Sequence, residues 1–162
     1  MYKLEEETED DWWEVEALYD LCFAPGRTAL SSYRLRDGVP TVAALCLTLR
    51  DTDGTLAAVI RYWPALVGGG QDVLLLGPIA VHPTRQGEGL GGLLINESLA
   101  EARRLGWERV LLVGDAPYYG RFGFRKLEGV VMPPPTNPDR VLGLALKAGA
   151  WDGVTGAVTK AT

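Results

Sequence analysis

One histidine, two cysteines and no long apolar run leave this chain little scope to be a metal-bound, disulfide-stapled or membrane-spanning protein. Cys22 and Cys46 sit in apolar runs and read as reduced, buried thiols. His82 stands alone, and nothing has metal-ligand spacing, so no metal site is expected. No stretch reaches the about 18 apolar residues that a membrane span needs. The N-terminus, Met1-Tyr2-Lys3-Leu4-Glu5-Glu6-Glu7, is acidic where a signal peptide would be basic and then apolar, so the chain reads as cytoplasmic. An excess of positive charge is also missing. The net charge of −5 argues against nucleic acid and is compatible with a cationic partner such as an amine, although it also simply keeps a small protein soluble. With no fixed-period repeat and no linker, 162 residues imply one domain spanning 1–162.

What is present is an alternation of helical and strand patterns. Residues 10–23 place Trp12, Val15, Leu18, Tyr19 and Cys22 at helical period behind an acidic start, and Pro25-Gly26 ends the run. Residues 28–37 suggest a short second helix. Residues 41–50 and 55–64 flank Asp51-Thr52-Asp53-Gly54, turn chemistry that predicts an antiparallel hairpin. After a loop at 67–72, residues 73–81 (VLLLGPIAV) are apolar without alternation, as in a strand covered on both faces. Gly77-Pro78 within it predicts a bulge or a splayed edge, since proline donates nothing to a ladder.

Residues 91–105 predict a helix with Leu90, Leu94, Ile95, Leu99, Ala102 and Leu105 on one half and Gly106 as C-cap. Val110-Leu111-Leu112-Val113 is another apolar strand, residues 118–122 a short helix after Asp115, and residues 141–146 a last strand reached through the loop 132–139. Beyond Gly149 the chain is small and polar apart from Trp151, and 150–162 is expected to be a loosely ordered tail. The order predicts an α/β fold with a mixed sheet, centred on one strand–helix–strand unit.

At that strand-to-helix junction lies Gln86-Gly87-Glu88-Gly89-Leu90-Gly91-Gly92. Glycines permit positive φ and let backbone N–H groups approach a ligand closely. The helix that follows adds unsatisfied N–H groups and the positive end of its dipole, which together suit a phosphate. No Lys-Ser/Thr pair follows, which excludes a P-loop. Two readings remain. Gly87-x-Gly89-x-x-Gly92 matches the dinucleotide fingerprint, and Asp115 lies roughly where a ribose-binding acid would, about 20 residues on. Against it, residues 82–86 separate the strand from the first glycine, and the unit sits mid-chain after a hairpin.

The other reading is Gln86-x-x-Gly89-x-Gly91. With the strand ending Ile79-Ala80-Val81-His82-Pro83, the following helix, the strand 110–113 and Tyr118-Tyr119-Gly120-Arg121-Phe122-Gly123-Phe124, it resembles the GNAT acyltransferase superfamily, and within it bacterial predicted acetyltransferases of the YhbS type. The resemblance runs from Leu74 to Phe124. It implies a GNAT-like fold: a mixed, mostly antiparallel central sheet flanked by helices, with a splayed strand at the cofactor site. It implies acetyl-CoA as acyl donor, its pyrophosphate held by Gln86, Gly87, Glu88, Gly89, Leu90, Gly91 and Gly92, mostly through backbone, with Arg85 as a further phosphate contact. It places Ile79, Ala80 and Val81 along the pantetheine arm, and Tyr119 as proton donor to the leaving thiolate, with Tyr118 as fallback.

A general base does not emerge. Residues 74–81 contain no carboxylate or histidine, His82 precedes a proline, and Asp115 suits a helix N-cap. An asparagine often found before the family's tyrosine helix is absent, so water would carry the amine's proton away. Trp12, Trp13, Tyr33, Arg34 and Arg36 are candidates to line an acceptor pocket. The activity implied is acetyl transfer to a primary amine of a small molecule or protein. A non-catalytic acyl-CoA-binding module and a dinucleotide-binding oxidoreductase are the alternatives, and monomer and homodimer both stay open.

Overall fold

The two longest strands come from the two most apolar runs. In the computed structural model, which describes residues 1–23 and 31–161, β3 (Leu56–Val67) and β4 (Gln71–Val81) pair antiparallel across Gly68-Gly69-Gly70. Around them the sheet runs β1 (Lys3–Glu6), β2 (Leu47–Arg50), β3, β4, β5 (Arg109–Val113), β8 (Val141–Ala145) and β6 (Arg125–Lys126). Neighbours along this path are antiparallel except β4 and β5. The sheet is therefore mixed and mostly antiparallel, unlike the parallel sheet of a doubly wound dinucleotide-binding domain.

Side chains alternate across the sheet, and each face takes its own helix. Val59 and Ala80 pack with Val15, Leu18 and Tyr19 of α1 (Trp12–Cys22). Ala58, Ile60, Leu74 and Leu76 pack with Leu90, Leu94, Ile95 and Leu99 of α3 (Leu90–Arg104) on the other face. This double cover explains the unbroken apolar run of β4. The short helices α2 (Ser31–Arg34) and α4 (Ala116–Gly120) stand at the end of the sheet where β4 and β5 point.

That end opens because β4 bulges against β3 and leaves β5. Ile60 pairs with Ile79 and Tyr62 with Leu76, so Gly77 and Pro78 together oppose Arg61 alone: the bulge that the Gly-Pro step predicts. On the other side β4 pairs parallel with β5 only at Leu74–Val110 and Leu75–Leu111. Two carbonyls at the bulge are taken up by side chains. The Trp63 indole donates to Gly77 O at 2.9 Å and the Tyr19 hydroxyl to Pro78 O at 2.8 Å. At the closed root, buried Arg109 donates from Nη1 to Asp72 O (2.6 Å) and from Nε to Ala150 O (2.8 Å). The strands are thus stapled below and free above.

Several sequence expectations shift. The acidic start 3–6 is a strand, and a 3-10 turn at Glu9–Asp11 precedes α1. Of the second helix only Ser31–Arg34 is helical among the described residues. Pro25-Gly26 and residues 28–30 lie outside those residues. Leu105, assigned to the apolar half of α3, is 44% exposed, because the helix ends at Arg104 and Leu105 is its C-cap. The expected loose tail is instead ordered through Lys160. β9 (Gly156–Lys160) pairs with β3 at 65–67 and with β7 (Val130–Val131), burying Val158 where β2 stops short. Sheet pairing overrides the low apolar content of this segment.

Truncation after Asp152 should therefore lower the melting temperature by roughly 5 °C or more, as strand and core contacts worth a few kcal/mol are lost. An unchanged thermal transition would show that the segment contributes nothing to the sheet.

Candidate active site

The glycine turn forms where β4 meets α3. Gly87 and Gly89 have φ of +85° and +78°, a conformation that side-chain-bearing residues rarely adopt. Gly89 is the N-cap and supplies no side chain to the first turn. The amides of Leu90, Gly91 and Gly92 thus lack helical partners by the geometry of a helix start. The Gln86 side chain folds back, its Nε2 donating to Val81 O at 2.8 Å, and ties the turn to the strand end. A cavity of about 580 Å³ opens here, lined by Val81, Gln86, Gly87, Gly89, Leu90, Gly91 and Gly92, with Arg85, Tyr118, Arg121 and Phe122.

The side chains of two expected residues point away from the cavity. Glu88 turns away, its carboxylate accepting from the Tyr2 hydroxyl at 2.5 Å. Ala80 is 4% exposed and faces α1, so only its backbone is available to the groove. Arg85 borders the cavity but is ion-paired with Asp51 and donates to the Tyr2 hydroxyl at 3.3 Å, so its charge is largely spent within the protein. Arg121 was not singled out by sequence. Its guanidinium lies 4.5 Å from the Tyr118 ring centroid, and it carries a second positive charge to the cavity.

A second cavity, about 520 Å³, lies in the mouth between β4 and β5. Its walls are Leu75–Ile79 on one strand, Leu112–Asp115 after the other, Phe23, Ser32, Tyr33 and Arg36 from the α1–α2 side, and Tyr118, Tyr119 and Arg140. Ile79 belongs to this cavity and Val81 to the first. Tyr118 lines both. A methyl placed on Gly91 would stand 3.0 Å from the Tyr118 hydroxyl, 3.7 Å from Val81 Cγ2 and 4.0 Å from Ile79 Cδ1. Gly91 is thus the point where turn, strand and tyrosine converge.

Tyr119 is packed more deeply. Its ring meets Phe124 edge-on at 6.0 Å, and a methyl on Gly114 would come within 2.6 Å of it. Burial pushes the Tyr119 phenol up to about 12. Asp115, the one carboxylate among the described residues of this cavity, accepts from Tyr118 N at 3.2 Å and caps α4. His82 Nδ1 bonds Thr84 Oγ1 at 2.8 Å in the turn after β4. Both side chains thus serve local turn or cap contacts. Of the residues considered for an acceptor pocket, Tyr33 and Arg36 line the cavity, whereas Trp12 and Trp13 are exposed on α1 and Arg34 donates to Pro134 O at 2.6 Å. Among the described residues no group of three potential ligands could hold a metal ion, and no helix is long and apolar enough to cross a membrane.

Comparison with known proteins agrees with this geometry. The model of the acetyltransferase (GNAT) family matches residues 9–124. The uncharacterized N-acetyltransferase YhbS of Escherichia coli K12 is 31% identical over 113 residues, covering 68% of this chain and 65% of YhbS. The uncharacterized N-acetyltransferase YjhQ of the same organism is 42% identical over 55 residues, covering 34% of this chain and 30% of YjhQ. The matched segments thus span less than two thirds of these relatives. Among solved structures, E. coli YhbS in complex with CoA superposes with a TM-score of 0.85 at 26% identity, covering 98% of this chain and 89% of that one. A Brucella melitensis GNAT acetyltransferase in complex with acetyl-CoA gives 0.76 at 28% identity, covering 98% and 95%.

Gly89→Val should raise the Kd for CoA about tenfold or more in isothermal titration, because a β-branched residue at this φ is strained by ~1–3 kcal/mol and rotates the amides. Gly106→Val, with φ +94° at the far end of α3 and nothing within 4 Å, carries similar strain and should leave that Kd unchanged. Equal effects of the two would remove the turn from the binding site.

Proposed function

The chain belongs to the GNAT acetyltransferase family, and from that premise we propose that it transfers an acetyl group from acetyl-CoA directly to a primary amine of a small molecule or protein. The observation that carries this is the continuity of the groove. The cavity at the turn and the cavity between β4 and β5 share Tyr118, and Val81 and Ile79 of the β4 edge that β5 leaves unpaired line one cavity each. The pyrophosphate would lie on the amides of residues 86–92, and the pantetheine arm along Ile79, Ala80 and Val81. The acetyl thioester then reaches the tyrosine cavity. Relatives solved with CoA and with acetyl-CoA support this reading.

In the reaction the amine nitrogen attacks the thioester carbonyl, the C–S bond breaks, one proton leaves nitrogen and one reaches sulfur. Backbone N–H groups of the unpaired strand edge would stabilise the carbonyl oxygen as it becomes negative. Tyr119 would meet the departing sulfur. With its phenol pushed up to about 12, well above a thiol near ~8.5, outright proton transfer from it runs uphill. A hydrogen bond to the thiolate does not. The balance closes if the proton shed by nitrogen passes to sulfur through the Tyr119 hydroxyl, which needs no dedicated base beyond the step that supplies neutral amine. Tyr118 is the second candidate for this contact, because among the described residues it alone lines both cavities.

Tyr119→Phe should lower kcat by roughly 10²-fold with the Kd for acetyl-CoA within about twofold, whereas Tyr118→Phe should change binding more than turnover. The reverse pattern would transfer the role to Tyr118. Because the Tyr119 phenol stays protonated well beyond neutrality, kcat should not decline between pH 7 and 10. A decline with a midpoint near ~10, the ordinary phenol value, would contradict the buried environment assigned to it.

A further inference from the structure

The acceptor cavity combines a buried cation with a shortage of anions. Arg36 is 7% exposed, lines the cavity, and its Nε has no hydrogen-bond partner. Its guanidinium hydrogen-bonds the Tyr33 side chain, lies 3.2 Å from the Tyr33 ring centroid and 5.2 Å from that of Trp63, and has no carboxylate ion-paired with it among the described residues. The other buried arginines among the described residues have such relief. Arg61 is bound by Glu7 and Glu16, and Arg109 by two carbonyls and Glu108. Arg140 adds a second positive charge to the same wall. The one carboxylate, Asp115, is engaged by the α4 cap.

A guanidinium withdrawn from water without a counter-ion is costly, and aromatic faces offset only part of that cost. The donor does not supply the missing charge, since its pyrophosphate would lie at the turn, beyond Tyr118. Resting on the acetyl-transfer reading, we propose that the acceptor is a small amine that itself carries a carboxylate or comparable anion, held by Arg36 and Arg140 while its nitrogen faces the thioester at Ile79. A cavity of about 520 Å³ suits a small molecule. The same cations disfavour an ammonium beside them, so they also help present the amine in its neutral, nucleophilic form.

The test compares matched acceptors: L-amino acids, β-alanine and γ-aminobutyrate, each against its primary carboxamide, at saturating acetyl-CoA. In the wild type kcat/KM for the best acid should exceed that of its amide by about tenfold or more, the scale of a charge-assisted hydrogen bond. In Arg36→Gln that ratio should fall toward one through loss on the acid alone, and Arg36→Lys should retain part of it. Arg140→Gln, on the exposed rim, should give an intermediate ratio and stands in if Arg36→Gln fails to fold. Amides acetylated as well as acids, or no pair acetylated by protein that binds acetyl-CoA in calorimetry, would overturn the anionic acceptor and leave acetyl-CoA use standing. Absence of acetyl-CoA binding would instead overturn the function on which it rests.

Discussion

The molecule is organised by a broken contact between strands. β4 and β5 pair at Leu74–Val110 and Leu75–Leu111 and then part. Backbone polar groups freed from a ladder need other partners. Here Tyr19 and Trp63 take the carbonyls of Pro78 and Gly77, and the remaining edge faces a groove. The bulge opposite Arg61 and the Arg109 staple at the root hold the parting in place. The cavity lined by both strands opens from it.

Much of this was legible in residue order. Gly77-Pro78 announced the bulge, and the glycines at 87 and 89 announced positive φ and an uncapped helix start, because each feature needs a residue type with few alternatives. The unalternating run of β4 announced its double cover. What stayed hidden depends on tertiary pairing. All four residues of β1 are exposed and carry no period. The sequence of β9 offers Val158 as its one buried residue, and the strand exists because β2 leaves half of β3 unpaired.

The site shows the same division. Motif spacing drew attention to the turn and the two tyrosines, but not to which side chains line the cavities. Glu88 lies inside the motif yet pairs with Tyr2, and Ala80 turns its methyl toward α1. Arg121 and Arg140 had no signal beyond their charge. Net charge says little about the cavity itself. The total is −5, yet Arg36 and Arg140 are among the residues that line the cavity between β4 and β5. Acidic residues cluster elsewhere, many of them tying α1 to the sheet through Arg50 and Arg61.

The central claim is that acetyl-CoA occupies one continuous groove from the glycine turn to the parted strands. The most direct measurement is the backbone amide NMR spectrum of the protein titrated with acetyl-CoA. The amides of Gly87, Gly89, Gly91 and Gly92 should shift together with those of Ile79, Ala80 and Val81, and with those of Tyr118 and Tyr119, at one common saturation point. Shifts confined to the turn, with the β4 edge and the tyrosines unmoved, would contradict it.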